Sequence, residues 1–345
     1  GSGRPILIDR YLEGTEVDVD AICDGREVLI PGIMEHIERA GVHSGDAMTL
    51  YPGLNLSSQE VDTIVDYTTR IGNALGINGL MNIQFIVMGD RNTDGPSVGS
   101  SVYVIEVNPR ASRTVPFISK VTGVPVVQIA TQVMAGKSLK ELGYEGGLWP
   151  KQPSIAIKAP VFSMSKLQGV DTYLGPEMKS TGEVMGIDHS FQGALIKALM
   201  ASGLMLPPEG GVLLSVADRD KSEALPIIRK LAALGYLLYA TEGTAGLIRA
   251  AGMTVAMTVM KLGQGSPSVL DVINNGSVGA VLNTISGGRD PLKDGFDIRR
   301  AAVEGRIPCF TSLDTAKAAV EGRSGEGRGT YSIKPRVAYL EESGD

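Results

Sequence analysis

Leu80-Met81-Asn82-Ile83-Gln84-Phe85-Ile86-Val87 and Val102-Tyr103-Val104-Ile105-Glu106-Val107-Asn108-Pro109-Arg110 are the two stretches on which the reading of this chain turns. Both have strand composition, and side chains alternate faces along a strand. Gln84 therefore points away from Ile83 and Phe85. On the second run Glu106, Asn108 and Arg110 are expected on one face, with Tyr103, Ile105 and Val107 on the other. Paired, the two runs would bury one apolar face and present a carboxylate, two amide oxygens and a guanidinium on the other. Hard oxygen ligands suit magnesium, which leaves positions open for nucleotide phosphates. A neighbouring arginine suits a transferring phosphoryl group. An ordinary hairpin with a solvated polar face has the same pattern.

Outward from this pair, the chain reads as α/β. Glu16 to Asp24 has period two and ends in a turn at Asp24-Gly25, and Glu27 to Met34 reads as its hairpin partner. Ser57-Ser58-Gln59-Glu60 is a capping-box signature. Val61, Ile64, Val65, Thr68, Ile71 and Leu75 follow at helical spacing, which predicts a helix of about five turns. The connection Met88 to Ser101 is rich in Gly, Asn, Asp and Ser and reads as a long surface loop. Short helices are expected at Thr114–Thr122 and Val126–Met134, and a further helix at Ser190–Ser202. Leu204 to Gly211 has the proline and glycine of a linker. After it, strands near Val212–Val216, Leu237–Ala240, Val255–Thr258, Val278–Leu282 and Ile307–Phe310 alternate with helices. That rhythm predicts a doubly wound parallel sheet. Gly322–Gly329 reads as a loop and Glu341–Asp345 as a disordered tail.

Composition narrows the function classes. The chain has 345 residues, 43% of them apolar and 5% aromatic, so two or three domains with aliphatic cores are expected. The net charge of −6, without a basic stripe, argues against nucleic acid. No apolar run of about 18 residues argues for a membrane span. Two distant cysteines, Cys23 and Cys309, both in strand-like runs, fit core positions in a reducing cytoplasm. Gly1-Ser2-Gly3 reads as a linker or expression remnant, and Pro5 to Ile8 as a strand entered without lead-in.

Four longer strings carry a resemblance: Glu106–Phe117 (EVNPRASRTVPF), Ile33–Gly45 (IMEHIERAGVHSG), Gly79–Phe85 (GLMNIQF) and Leu174–Gly186 (LGPEMKSTGEVMG). Together they resemble the carbamoyl-phosphate synthase large-subunit family, from Pro5 to about Val320. The resemblance implies the C-terminal lobe of an ATP-grasp fold over residues 4–203, a linker at 204–211, a methylglyoxal-synthase-like domain at 212–335 and a tail at 336–345. It implies a piece of the half that phosphorylates carbamate with ATP, serving pyrimidine and arginine biosynthesis. The earlier lobe and the lid would lie outside the piece, which alone is expected to be inactive. Carbamate would arrive through an internal tunnel. The implied partners are the remainder of the large subunit and a glutamine amidotransferase small subunit; self-association stays open.

By position, the resemblance puts the adenine hinge at Asp9-Arg10-Tyr11-Leu12, with backbone groups of Arg10 and Leu12 at the base. It puts Glu16 at the ribose hydroxyls and the loop Gly41-Val42-His43-Ser44 along the nucleotide. Gln84, Glu106 and Asn108 become ligands of magnesium or manganese, with Gln84 and Glu106 also at the ATP. Arg110 becomes a phosphate contact and Arg113 a neighbour of carbamate. In the last domain, Lys221, Thr241, Thr244 and Lys261 match a phosphate cradle, and Asn283 and Thr284 the nucleoside side. The implied effector is uridine or inosine monophosphate. A plain threonine cap with surface lysines is the alternative there. Two departures stand out. Asn283-Thr284-Ile285-Ser286-Gly287 has Ile285 where the family has a hydroxyl, which touches effector identity. Lys158-Ala159 replaces a Lys-Glu pair used for ornithine, although Glu38 and Asp46 remain at other ornithine positions. The competing readings are a nucleotide-binding regulatory module without chemistry and an unrelated ATP-grasp carboxylate–amine ligase.

Overall fold

The computed structural model describes residues 8, 10–89, 101–164, 170–284, 289–325 and 330–341, without the side chains of 289–294. Expectations for Pro5–Leu7, Asp9, most of the Met88–Ser101 connection, Ile285–Gly287, the end of the Gly322–Gly329 loop and the last four residues lie outside them.

The chain forms two compact units that interleave in sequence. The first takes the described parts of Gly1–Ala40, Gly53–Lys120 and Val124–Pro150; the second takes Gly41–Pro52, Val121–Gly123 and those of Lys151–Asp345. In chain order the elements begin with β1 (Thr15–Asp24), β2 (Val28–Ile30), β3 (Ile33–Arg39), β4 (Thr49–Tyr51) and α1 (Ser58–Ala74). Next come β5 (Asn78–Met88), β6 (Ser101–Asn108), α2 (Val115–Thr122), α3 (Val126–Met134) and β7 (Gly147–Leu148). Then follow β8 (Ile155–Val161), β9 (Gly182–Asp188), α4 (Phe191–Ser202), β10 (Gly211–Ser215), α5 (Lys221–Ala233), β11 (Leu237–Thr241) and α6 (Glu242–Ala250). The chain closes with β12 (Met257–Val259), α7 (Val269–Asn274), β13 (Val278–Asn283), α8 (Arg289–Glu304), β14 (Cys309–Phe310), α9 (Leu313–Ser324) and α10 (Arg336–Glu341).

In the first unit the strands run β6-β5-β1-β3, with β2 also on β1 and β7 on β2. The expected single hairpin partner is two strands, because Pro31-Gly32 interrupts the ladder between β2 and β3. Alternation along β1 sends Val17, Val19, Ala21 and Cys23 into a core with Ile64 of α1 and Ile83 and Phe85 of β5. Helix α1 begins with the anticipated capping box, Ser57 accepting from Glu60 N–H while Glu60 accepts from Ser57 N–H. Gly72 allows α1 close to the sheet: a Cβ there would meet Val28 at 2.9 Å and Cys23 Sγ at 3.0 Å. Leu75, expected inward, is instead 61% exposed, because it lies at the helix C-cap where the stripe has rotated off the sheet.

The second unit holds antiparallel β4-β8-β9 and a parallel sheet ordered β12-β11-β10-β13-β14. Leu213 and Val281 face a core with Val269 and Val272 of α7 and Ile298 and Ala302 of α8. Val212, Leu214, Ala280 and Leu282 point the opposite way and are buried too. Both faces are covered, as a parallel sheet requires, and the doubly wound expectation is borne out. Described residues of the expected tail form α10, whose Tyr339 is buried; its hydroxyl donates to Ser332 O at 2.7 Å and accepts from Lys197 Nζ at 2.9 Å. Among the described residues no helix is long and apolar enough to cross a membrane.

Candidate functional site

Strand register assembles a polar face in the first unit. Asp18 of β1 lies opposite Gln84 of β5, which lies opposite Glu106 of β6; one step along, Asp20, Asn82 and Asn108 form a second row. Glu16, Asp18 and Asp20 share this face because they alternate with the buried valines of β1. Asn108 Nδ2 donates to Glu106 Oε1 at 2.8 Å, leaving the Asn108 amide oxygen and the second Glu106 oxygen for other partners. Gln84, Glu106 and Asn108 are thus brought together as alternation predicted.

The rest of β6 departs from expectation. The register shifts between Gln84 and Phe85, so that Phe85 faces Val104 and Ile105 is the extra residue of a bulge. Val102 and Val107 pack on the core, whereas Tyr103 and Ile105 are each 45% exposed. A bulge flips the alternation beyond it, so the expected apolar face of Tyr103, Ile105 and Val107 does not form. The strand also ends at Asn108. Arg110 lies in the turn after it, its N–H on Asn108 O at 2.8 Å and its guanidinium on Ala111 O at 3.0 Å. Arg113 is half-buried further along the same loop.

The buried part of this face went unremarked in the sequence. His36 Nε2 lies 2.9 Å from Asp18 Oδ2 and His36 Nδ1 lies 3.2 Å from Glu16 Oε2. Burial pushes the imidazole down, but the Asp18 charge and hydrogen bond and the Glu16 contact outweigh it, raising its pKa to about 9. His36 is therefore a cation at neutral pH, offsetting the carboxylates beside it. Asp20 accepts from Asn82 Nδ2 at 3.1 Å and from Thr114 Oγ1 at 2.5 Å. Burial pushes its carboxyl up to about 6, against the hydroxyl bonds of Ser112 and Thr114. The available signal was the alternation Glu16-Asp18-Asp20 itself.

Other expected positions fall as follows. Arg10 is exposed and Leu12 half-buried. Gly41, Val42, His43 and Ser44 belong to the second unit. There His43 Nδ1 accepts from Gly45 N–H at 3.0 Å, and buried Lys158 donates to Ser44 O at 3.1 Å. Asp46 accepts from the N–H groups of Lys179 and Ser180 at 2.8 and 2.9 Å. Glu38 is buried in β3.

The parallel sheet reverses its strand order between β10 and β13, where α/β sheets open a crevice at their carboxyl ends. Ser215 and Asn283 stand in register there. Thr244 Oγ1 accepts from Val216 N–H at 3.1 Å and Thr284 Oγ1 from Ala217 N–H at 3.0 Å, so both threonines gather on one segment. Thr241 is the N-cap of α6 but its side chain makes no capping bond; its hydroxyl turns to Thr244 at 3.4 Å. Lys221 crosses above that helix start: a Cβ on Gly243 would meet its Nζ at 3.0 Å. Lys221 pairs with Asp218 at 2.7 Å, and that bond, with the charges of Lys221 and Lys261, holds the Asp218 carboxyl below its ordinary range. Asn283 is not open: its Oδ1 accepts from the buried Arg299 guanidinium at 2.7 Å, which also grips Asp171 at 2.6 and 2.5 Å.

Comparison with known proteins bears on the family of the two domains. Residues 2–142 match the carbamoyl-phosphate synthase L chain, ATP binding domain, and residues 223–311 match the MGS-like domain. The carbamoyl phosphate synthase large chain of Thermomicrobium roseum is 57% identical over 338 residues, covering 98% of this chain and 30% of that one. Its counterpart in Thermoanaerobacter pseudethanolicus is 54% identical over 309 residues, 90% of this chain and 27% of the relative. Among solved structures, a biotin carboxylase domain of a single-chain bacterial carboxylase matches with 18% identity and a TM-score of 0.42, over 56% of this chain and 48% of that one. Over nearly its whole length the chain is similar to carbamoyl phosphate synthase large chains, matching their ATP-binding and MGS-like domains, and it spans less than a third of the length of the relatives it matches.

Proposed function

We propose that the polar face of β1, β5 and β6 is part of an ATP site at which carbamate is phosphorylated to carbamoyl phosphate in the complete enzyme. The observation that carries the reading is the row Gln84–Glu106 with Asn108 beside it, one carboxylate and two amide oxygens on one face. That all-oxygen set at an accessible sheet edge fits a divalent magnesium or manganese ion. Such an ion, when bound, supplies positive charge to the triphosphate oxygens. Gln84, Glu106 and Asn108 would hold it. The carbamate oxygen attacks the γ-phosphoryl in line, the bond from the γ-phosphorus to the β,γ-bridging oxygen breaks and ADP leaves, and the chain contributes position and charge rather than a covalent intermediate. Arg110 meets the transferring phosphoryl and Arg113 the carbamate. Glu16, held against the His36 cation, accepts from ribose hydroxyls, while backbone groups of Arg10 and Leu12 meet the base. The partners are the rest of the large chain and a glutamine amidotransferase subunit.

The test is Glu106→Gln in the full-length chain, read as ATP formed from carbamoyl phosphate and ADP. Removing one charged ligand at constant shape is expected to slow it at least about 10-fold, about 1.4 kcal/mol of transition-state stabilisation. A near-parental rate at saturating magnesium refutes the assignment.

The MGS-like domain supports a second role, control by a nucleotide. Lys221 and Lys261 near the uncapped start of α6, with Thr241 and Thr244, suit a phosphate. Thr284 lies towards the nucleoside, uridine or inosine monophosphate, whereas Asn283, expected beside it, is held by the Arg299 guanidinium. If the complete large chain binds such a nucleotide yet shows no carbamoyl-phosphate chemistry, the regulatory-module reading replaces the first.

A further inference from the structure

We propose that Asp20 is a positioning residue for the loop bearing Arg110 and Arg113, acting through Thr114; the proposal rests on the role given to those arginines above. Asp20 is 1% exposed and lies in the middle of β1. Burying a carboxylate is costly unless its oxygens are bonded. Here each oxygen has a distinct task. Oδ1 accepts from Asn82, which stands opposite Asn108 at the last position of β6. Oδ2 accepts from Thr114, the residue immediately before α2. Asp20 thus fixes Thr114 at the far end of the segment Pro109–Arg113, which carries the two arginines, and also fixes Asn82, the strand partner of Asn108 at the near end. Thr114 is itself buried, and its hydroxyl and N–H both meet Ser112 Oγ, at 2.7 and 3.1 Å, which closes the far side of the loop.

A tie of this kind matters more to reaction than to folding. Catalysis by positioning degrades when a charged group moves by about 1 Å, and such displacements can cost on the order of 100-fold.

The experiment uses the full-length chain and the formation of ATP from carbamoyl phosphate and ADP. Thr114→Val keeps volume and deletes the hydroxyl; Thr114→Ser keeps the hydroxyl; each is combined with Arg113→Ala and with Arg110→Ala. The expected result is a loss of about 10-fold or more in kcat for Thr114→Val with KM for ADP unchanged, and recovery in Thr114→Ser to within about 3-fold of the parent. Added to whichever arginine variant is itself impaired, Thr114→Val is expected to cost little more. A parental rate in Thr114→Val, or a full multiplicative loss in both double variants, overturns the positioning role. So does a loss in Thr114→Val that Thr114→Ser does not recover. If Thr114→Val fails to fold, Asp20→Ala and Asp20→Asn take its place: a kcat loss of about 10-fold or more in Asp20→Ala that Asp20→Asn recovers, its amide donating to the Thr114 hydroxyl, is expected, and a parental rate in Asp20→Ala or an equal loss in both overturns the proposal. If neither arginine variant lowers the rate, the function assigned to the loop fails first, a different outcome from intact arginine dependence with a silent Thr114→Val.

Discussion

Replacing Asp171 with alanine removes the two-pronged partner of Arg299, a guanidinium with 0% residue exposure. Breaking a buried ion pair from one side leaves an uncompensated charge and costs about 3–5 kcal/mol. Two features lower the figure here. The Asp171 side chain is 30% exposed, so solvent reaches one end of the pair, and Asn283 still offers a neutral acceptor at 2.7 Å. A loss of about 2–3 kcal/mol is therefore expected, which for a unit of this size lowers the melting temperature by about 4–12 °C. Asp171→Asn keeps one acceptor and should lose about half as much. The pH dependence has a definite sign. Burial pushes the Asp171 carboxyl up, but hydrogen bonds and charge from Arg299, with Tyr173 N–H and Lys179, outweigh it and hold the group below its ordinary 3.8. A depressed carboxyl contributes stability above its unfolded pKa and loses it as the pH falls through the folded value. Thermal melts of parent and Asp171→Ala should differ at pH 7 and converge in acid, below pH 3.8. Equal melting temperatures at pH 7, or a gap that persists unchanged into acid, refute the reasoning.

Other outcomes follow from the same geometry. His36 has a raised pKa, so its stabilising contribution is fully present below 6.5 and lost as the pH rises through about 9; the melting gap between parent and His36→Gln should close across that window, and a constant gap refutes the ion pairs. Ser57→Ala removes the cap of α1 and should cost about 1 kcal/mol in urea unfolding; no change would mean the capping box carries no stability. Lys261→Ala should weaken nucleoside monophosphate binding to the full-length chain about 10- to 150-fold by calorimetry, the loss of one charge-assisted hydrogen bond; parental affinity places the phosphate elsewhere.

Much of this protein could be read from local pattern. Period-two alternation placed Gln84, Glu106 and Asn108 on one face, and Ser57 with Glu60 marked the start of α1, because face and cap depend on neighbours a few residues apart. The strand–helix rhythm after Gly211 likewise announced a parallel sheet. The bulge at Ile105 could not be read, since Tyr103-Val104-Ile105 is apolar in either register. Nor could the end of β6 before Arg110. The ties that complete both sites join residues far apart: Asp20 meets Thr114 across 94 positions and Arg299 meets Asp171 across 128. The sequence by itself determined most of the secondary elements, the shared face of Gln84, Glu106 and Asn108 and the family resemblance; only tertiary structure decided register, loop anchorage and which buried charges meet. The physical reason is range: propensity, alternation and capping act between adjacent residues, whereas pairing a buried carboxylate with its donors depends on how distant strands and loops pack.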